Sequence, residues 1–129
     1  MPKVYIAIFT PHYGNFLHWA IFIQTEPPLI LEVAGEHPNF IPNVICSSPD
    51  LDVRHIRNIE VGEVREDEMS QIRSFIEATY VDNETVEWTC QDYVLEALEK
   101  LGEECLLDED DEQYQKAIRM AKRQYFGPQ

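Results

Sequence analysis

Hydrophobic positions fall in short runs in the first half of the chain and recur at three- and four-residue intervals in the second. The run Val4–Thr10 is β-branched and aromatic and predicts a strand. Pro11-His12-Tyr13-Gly14-Asn15 carries turn chemistry. Leu17–Gln24 is apolar nearly throughout, which predicts a central second strand. Thr25-Glu26-Pro27-Pro28 predicts a turn, and Leu29–Ala34 a third strand closed by Gly35. Glu36–Pro49 contains Pro38, Pro42 and Pro49 and reads as an irregular loop. Val53–Val64 has apolar residues set between charges and predicts one or two short strands.

Three helices follow. Glu66–Tyr80 puts Met69, Ile72, Phe75, Ile76 and Thr79 on one face. Thr89–Leu101 does the same with Tyr93, Val94, Ala97, Leu98 and Leu101, and Gly102 supplies a C-terminal stop. Asp110–Gln124 carries Tyr114, Ala117, Ile118 and Ala121, with acids at its start and Lys116, Arg119, Lys122 and Arg123 toward its end, as the helix dipole favours. Strands first and helices after predict an α+β fold, an antiparallel sheet packed against helices. The 129 residues, 15.1 kDa, are the size of one domain, spanning 1–129.

Charge changes the picture more than size does. Asp and Glu number 24 and Lys and Arg 10, a net −14 with histidine neutral. Such a surface repels phosphate backbones and anionic lipid headgroups, so nucleic acid is not an expected partner. The run Glu103–Glu112 holds seven acids in ten positions. It lacks the spacing and central glycine of an EF-hand loop and reads as a solvated connector leading into a helix. Cys46, Cys90 and Cys105 form no CxxC pair and no metal spacing with the four histidines, which points to a reduced, cytoplasmic setting and to no metal. The apolar stretch Val4–Phe9 is shorter than a signal-peptide core, and no run approaches the ~20 residues of a membrane span.

Candidate chemistry starts at Cys90. In Trp88-Thr89-Cys90-Gln91-Asp92, Thr89 and Asp92 make a capping-box pattern, so Cys90 enters the first turn of a helix. Free N–H groups and the helix dipole there favour a thiolate. His18 lies in an otherwise apolar strand and needs a hydrogen-bond partner. Strand parity puts His18, Ala20 and Phe22 on one face and Trp19, Ile21 and Ile23 on the other. Glu32 is the only charge in Leu29–Ala34. If strands two and three form a hairpin in an even register, residues 18 and 32 share a face, opposite or diagonal. A carboxylate there orients an imidazole, and a helix-start cysteine completes a thiol-nucleophile layout. His12 and His37, in loops, and His55, in a mixed segment, are the competing histidines.

The strand His18-Trp19-Ala20-Ile21-Phe22-Ile23 resembles the H-W-A-I-Y/F-V strand of the lecithin:retinol acyltransferase-like proteins, the circularly permuted branch of the NlpC-type, papain-like superfamily. In that branch the histidine strand precedes the cysteine helix, as here. Thr89-Cys90-Gln91-Asp92-Tyr93-Val94 matches the layout of the family's N-C-x-x-F/W-V motif. It is also similar to the W-N-C-Q-D-W-V of a group of fungal proteins, and Leu31-Glu32-Val33-Ala34-Gly35 to their preceding H-V-V-G strand. The resemblance covers about Tyr5 to Leu101. Thr89 stands where the family has Asn, and Glu32 where it often has His. The transmembrane tail of many lipid-acting relatives has no counterpart here.

By position, the resemblance implies Cys90 as nucleophile, His18 as general base and Glu32 as the third residue. An acyl-enzyme would form without metal or organic cofactor. The Cys90 N–H would hold the oxyanion with one further donor among Tyr5, Tyr13 and Gln91. The expected function is a thiol hydrolase, amidase, peptidase or acyltransferase on a small-molecule, peptide or acyl substrate. Two alternatives stay open: a non-catalytic binding module on the same fold, and an interaction domain working through the acidic segment.

Overall fold

The computed structural model describes all residues, 1–129. It is an α+β structure with one five-stranded antiparallel sheet and three α-helices. The strands are β1 (Lys3–Phe9), β2 (His18–Gln24), β3 (Leu29–Ala34), β4 (Ile41–Ile45) and β5 (His55–Glu63). The helices are α1 (Met69–Glu77), α2 (Cys90–Glu103) and α3 (Glu112–Gln124). Short 3-10 turns occupy Pro49–Leu51 and Glu66–Glu68.

Strand order is β4-β3-β2-β1-β5, so the apolar run His18–Gln24 is central. The sheet has two apolar faces. Val4, Ile6, Ile8, Trp19, Ile21, Ile23, Leu29, Leu31 and Val33 turn to the helices and join a core of 27 buried residues. Ala7, Phe9, Ala20, Phe22 and Ile30 form a second, smaller cluster on the opposite face. Each fully buried Ile or Leu contributes about 1.5–3 kcal/mol, so the helix-covered face carries most of the stability.

One expectation about the strands changes. Glu36–Pro49 is not wholly irregular, because Ile41–Ile45 forms β4. It pairs Glu32 with Asn43 and Val33 with Pro42. β4 is an edge strand, where proline is tolerated because its missing N–H costs no ladder bond on the open side. Residues 53–64 hold a single strand, one of the two expected options, with register shifts against β1 at Val4/Tyr5 and Ile8/Phe9. Since β4 and β5 are the two edges, the segment between them must pass from one side of the sheet to the other.

Helix α2 buries all five residues read as its inner face. Its end departs from expectation. The helix runs on to Glu103, and Gly102 is a buried helical residue against which the Glu109 side chain packs. The left-handed residue is Cys105, at φ 58°. Leu106 N–H bonds Leu101 O at 2.9 Å and Cys105 N–H bonds Gly102 O at 3.1 Å, a Schellman closure. In the acidic connector, Leu106 and Leu107 are buried and Asp111 caps α3 by accepting from Gln113 N at 2.7 Å. No helix is long and apolar enough to cross a membrane.

A side chain in the left-handed region costs about 1 kcal/mol that glycine avoids. Cys105→Gly is therefore expected to raise urea-unfolding stability by about that amount. A midpoint at or below the parent's would count against the strained closure.

Candidate active site

The site lies where β1 and β3 end and where β2, β4 and β5 begin. Helix α2 presents Cys90 there. Thr89 adopts an extended conformation, its Oγ1 accepts from Gln91 N at 3.2 Å, and Asp92 Oδ2 accepts from Thr89 N at 2.8 Å. The expected capping box forms, and Cys90 takes the first helical position, where its own N–H has no intrahelical acceptor. The loop before the helix is pinned: Asn83 bonds both the N–H and the carbonyl of Phe40, at 2.8 and 3.1 Å. The Trp88 ring packs edge-on against Phe40, and its Nε1 donates to Glu96 at 2.9 Å.

A second clamp sets the height of Cys90 against the sheet. The Gln91 side chain is fully buried. Its Nε2 donates to Leu17 O at 2.9 Å and to Tyr125 O at 3.2 Å, and its Oε1 accepts from Gly127 N at 2.8 Å. Gln91 follows Cys90 and Leu17 precedes His18, so one amide ties the start of α2 to the start of β2. The Cys90 thiol lies 3.9 Å from the same Leu17 carbonyl.

The hairpin has the even register that parity requires. Ile21 pairs with Leu31 and Phe22 with Ile30. The paired register ends at Ile21 and Leu31, and just beyond it the His18 and Glu32 side chains meet. His18 Nε2 and Glu32 Oε1 are 2.7 Å apart. Glu32 Oε2 accepts from Asn43 Nδ2 at 2.8 Å. A carboxylate only accepts, so Nε2 carries the proton toward Glu32. Nδ1 is then the ring nitrogen that Glu32 leaves free. His18 thus bonds Glu32 and faces Cys90, with Asn43 behind Glu32.

Burial disfavours charge on His18. Its closeness to Cys90 and its hydrogen bond to Glu32 outweigh burial and push the imidazole from 6.5 up to about 9. Burial likewise works against ionised Glu32, which is 8% exposed. The hydrogen bond and charge of His18, the Asn43 amide and the Arg54 charge overcome it and hold the carboxyl below its usual range.

A cavity of about 840 Å³ opens onto this group. Cys90, His18 and Glu32 are in its wall, with Phe9 and Ile30 from the second apolar face. Ser47, Ser48, Leu51 and Val53 of the edge-to-edge segment line it too, so that segment passes over this face. Of the three further donors expected from sequence, only Tyr13 is on the cavity wall. Gln91 is corrected: its amide is spent on three backbone groups. Tyr5 is corrected as well: its hydroxyl bonds Gln24 and its ring stacks on Phe22, toward the other end of β1 and β2. His12 and His37 line the cavity outside this group, and His55 bonds Asn58 at 2.8 Å. Asn43 escaped sequence reading because its strand did. No cluster of three or more His, Cys, Asp or Glu side chains is placed to hold a metal ion.

No protein-family model matches the chain, and neither a curated protein nor a solved structure is significantly similar to it.

Two outcomes follow from the clamp and the charges. Gln91→Leu keeps the volume but strands two carbonyls and an N–H, and is expected to cost about 2–4 kcal/mol in urea unfolding. A loss under about 0.5 kcal/mol would show that the bonds contribute little beyond packing. For pH, His18 is raised on folding, so its contribution is complete below ~6.5 and is lost as pH climbs through about 9. Glu32 is lowered, so its contribution is present above ~4.3 and is lost as pH falls through its folded value. Relative to the parent, His18→Gln should flatten the loss of stability between ~6.5 and 9, worth on the order of 1–3 kcal/mol. Parallel stability curves for parent and variant across that window would refute the charged His18.

Proposed function

We propose that the protein is a cysteine-nucleophile acyl-transfer enzyme, a thiol hydrolase or acyltransferase working through an acyl-enzyme on Cys90. The observation that carries this is the His18–Glu32 pair at 2.7 Å, placed beside Cys90 in the wall of a large cavity, with the thiol in the first turn of a helix. Order along the chain, histidine strand before cysteine helix, agrees with the permuted papain-like, NlpC-type resemblance. On that reading residues 1–129 form one domain of that kind, and Glu32 fills the third position.

In the reaction, Cys90 Sγ attacks the acyl carbonyl and forms the C–S bond, while the proton of the Cys90–His18 pair rests on the ring. The oxyanion is held by the Cys90 N–H, with the Tyr13 hydroxyl as the second donor on the cavity wall. The intermediate collapses, the bond to the leaving group breaks, and His18 gives that group its proton. Water or another acceptor then attacks the thioester as His18 takes a proton from it. The C–S bond breaks, the acyl product leaves, and the thiol returns. Glu32 keeps Nε2 protonated and the ring in plane throughout. All proton transfers are covered by these side chains, so no metal or organic cofactor is required. A small-molecule, peptide or acyl ester or amide in a cytoplasmic setting fits the chemistry, and the −14 surface disfavours polyanions.

The test compares thiol alkylation rates by mass spectrometry across pH. Cys46 and Cys105 are exposed and Cys90 is buried, so access alone ranks Cys90 last. The proposal expects Cys90 to react first at pH 6, at least ten-fold ahead of the other two, and His18→Ala to move that reactivity to higher pH. A Cys90 that reacts last at every pH would leave a non-catalytic binding module as the better description.

A further inference from the structure

We propose that Asn43 is a positioning residue of this site: its side-chain N–H fixes the direction of the hydrogen-bond line by holding Glu32 as an acceptor only. The consequence for catalysis rests on the thiol-enzyme reading, but the placement itself does not.

The geometry is a cross-strand arrangement. β2, β3 and β4 are successive neighbours, and each contributes one polar group on the same face: His18, Glu32 and Asn43. Asn43 is directly opposite Glu32 in the ladder. Its Nδ2 is 2.8 Å from Oε2, while Oε1 is 2.7 Å from His18 Nε2, so each carboxylate oxygen has a partner. A protonated Glu32 would need an acceptor for its O–H. An amide N–H and an imidazole N–H offer none. With both donors in place the ionised carboxylate is the matched form. Nε2 must donate to Glu32, which leaves Nδ1 as the ring nitrogen that exchanges a proton with the thiol. Without Asn43, Oε2 is left without that donor, and the carboxyl can rotate or take up a proton.

Other groups act on the line. Cys90 from α2 faces His18. Arg54, ahead of β5, contributes charge to Glu32, but its hydrogen bonds go to Asp52, through Nε and Nη2. His55 is separated from His18 by the Phe9 ring, which packs against both. Asn43 is therefore the one neutral donor that bonds the carboxylate itself.

The experiment is an NMR titration of the His18 ring in the full chain, with alkylation of Cys90 followed in parallel. Asn43→Ala, and Asn43→Leu as a variant that keeps volume, should lower the His18 midpoint by about one pH unit. Cys90 alkylation at neutral pH should fall several-fold. In a Glu32→Gln background the Asn43 substitutions should have no further effect on the His18 midpoint, because Asn43 acts through Glu32. An unchanged His18 midpoint in both folded variants would overturn the proposal. So would an equal drop in the Glu32→Gln background. A midpoint that depends on Asn43 beside a Cys90 that reacts last in the parent would support the placement while refuting the thiol-enzyme reading.

Discussion

The buried amide of Gln91 determines whether the polar line at the end of the sheet can exist at all. A helix resting on a sheet through apolar contacts alone can slide along it by fractions of a turn at small cost, since such contacts are not directional. The Gln91 amide removes that freedom. It satisfies two carbonyls and one N–H from segments far apart in sequence, Leu17, Tyr125 and Gly127, in a place with no exposure to water. Any other height would leave those groups unpaired, at a cost larger than most single packing changes. Cys90 and His18 are the immediate neighbours of the two anchored positions, so their mutual placement follows from the clamp.

Once that height is set, charge follows from neighbours more than from burial. His18 and Glu32 are both largely withdrawn from water, which alone would favour their neutral forms. Each is instead pushed toward its charged form by the other, with the thiol on one side and Asn43 and Arg54 on the other. The general negative charge of the chain acts in the same direction on the imidazole. The acidic surface therefore works together with the site.

Much of this was legible in the sequence, and the misses have physical causes. The capping box around Cys90 is a local device, fully specified by Thr89 and Asp92, and it forms as read. Parity placed His18 and Glu32 on one face, since side-chain alternation leaves only even registers for a hairpin that buries both Ile21 and Leu31. Parity does not choose between opposite and diagonal. β4 was missed because an edge strand needs neither a continuous apolar run nor a full set of N–H donors. Ile41 and Ile45 are exposed there, and Pro42 sits within it. Gly102 and Gln91 were misread for a common reason. Each has an obvious local role, a helix stop or an oxyanion donor, but a distant partner decides its use: Glu109 for one, the Leu17 and Tyr125 carbonyls for the other.

The two faces of the sheet divide the work. The helix-covered face holds the large core, where an unpaired amide is costly, and Gln91 there is fully bonded. The second face carries only five buried apolar residues, no helix lies on it, and a single connecting segment passes over it. That face can hold His18, Glu32 and Asn43 near one end and still leave a cavity beside them. A thiol placed on this face by a strand would lack the helix N-terminus. A histidine on the helix face would be surrounded by Trp19-type packing with no room for a ligand. Bringing Cys90 around the end of the sheet from the other layer gives the thiol its helix terminus and the imidazole its cavity together. This is why the site sits at the first residue of a strand and the first residue of a helix, and why the clamp joining those two starts carries so much of the structure's consequence.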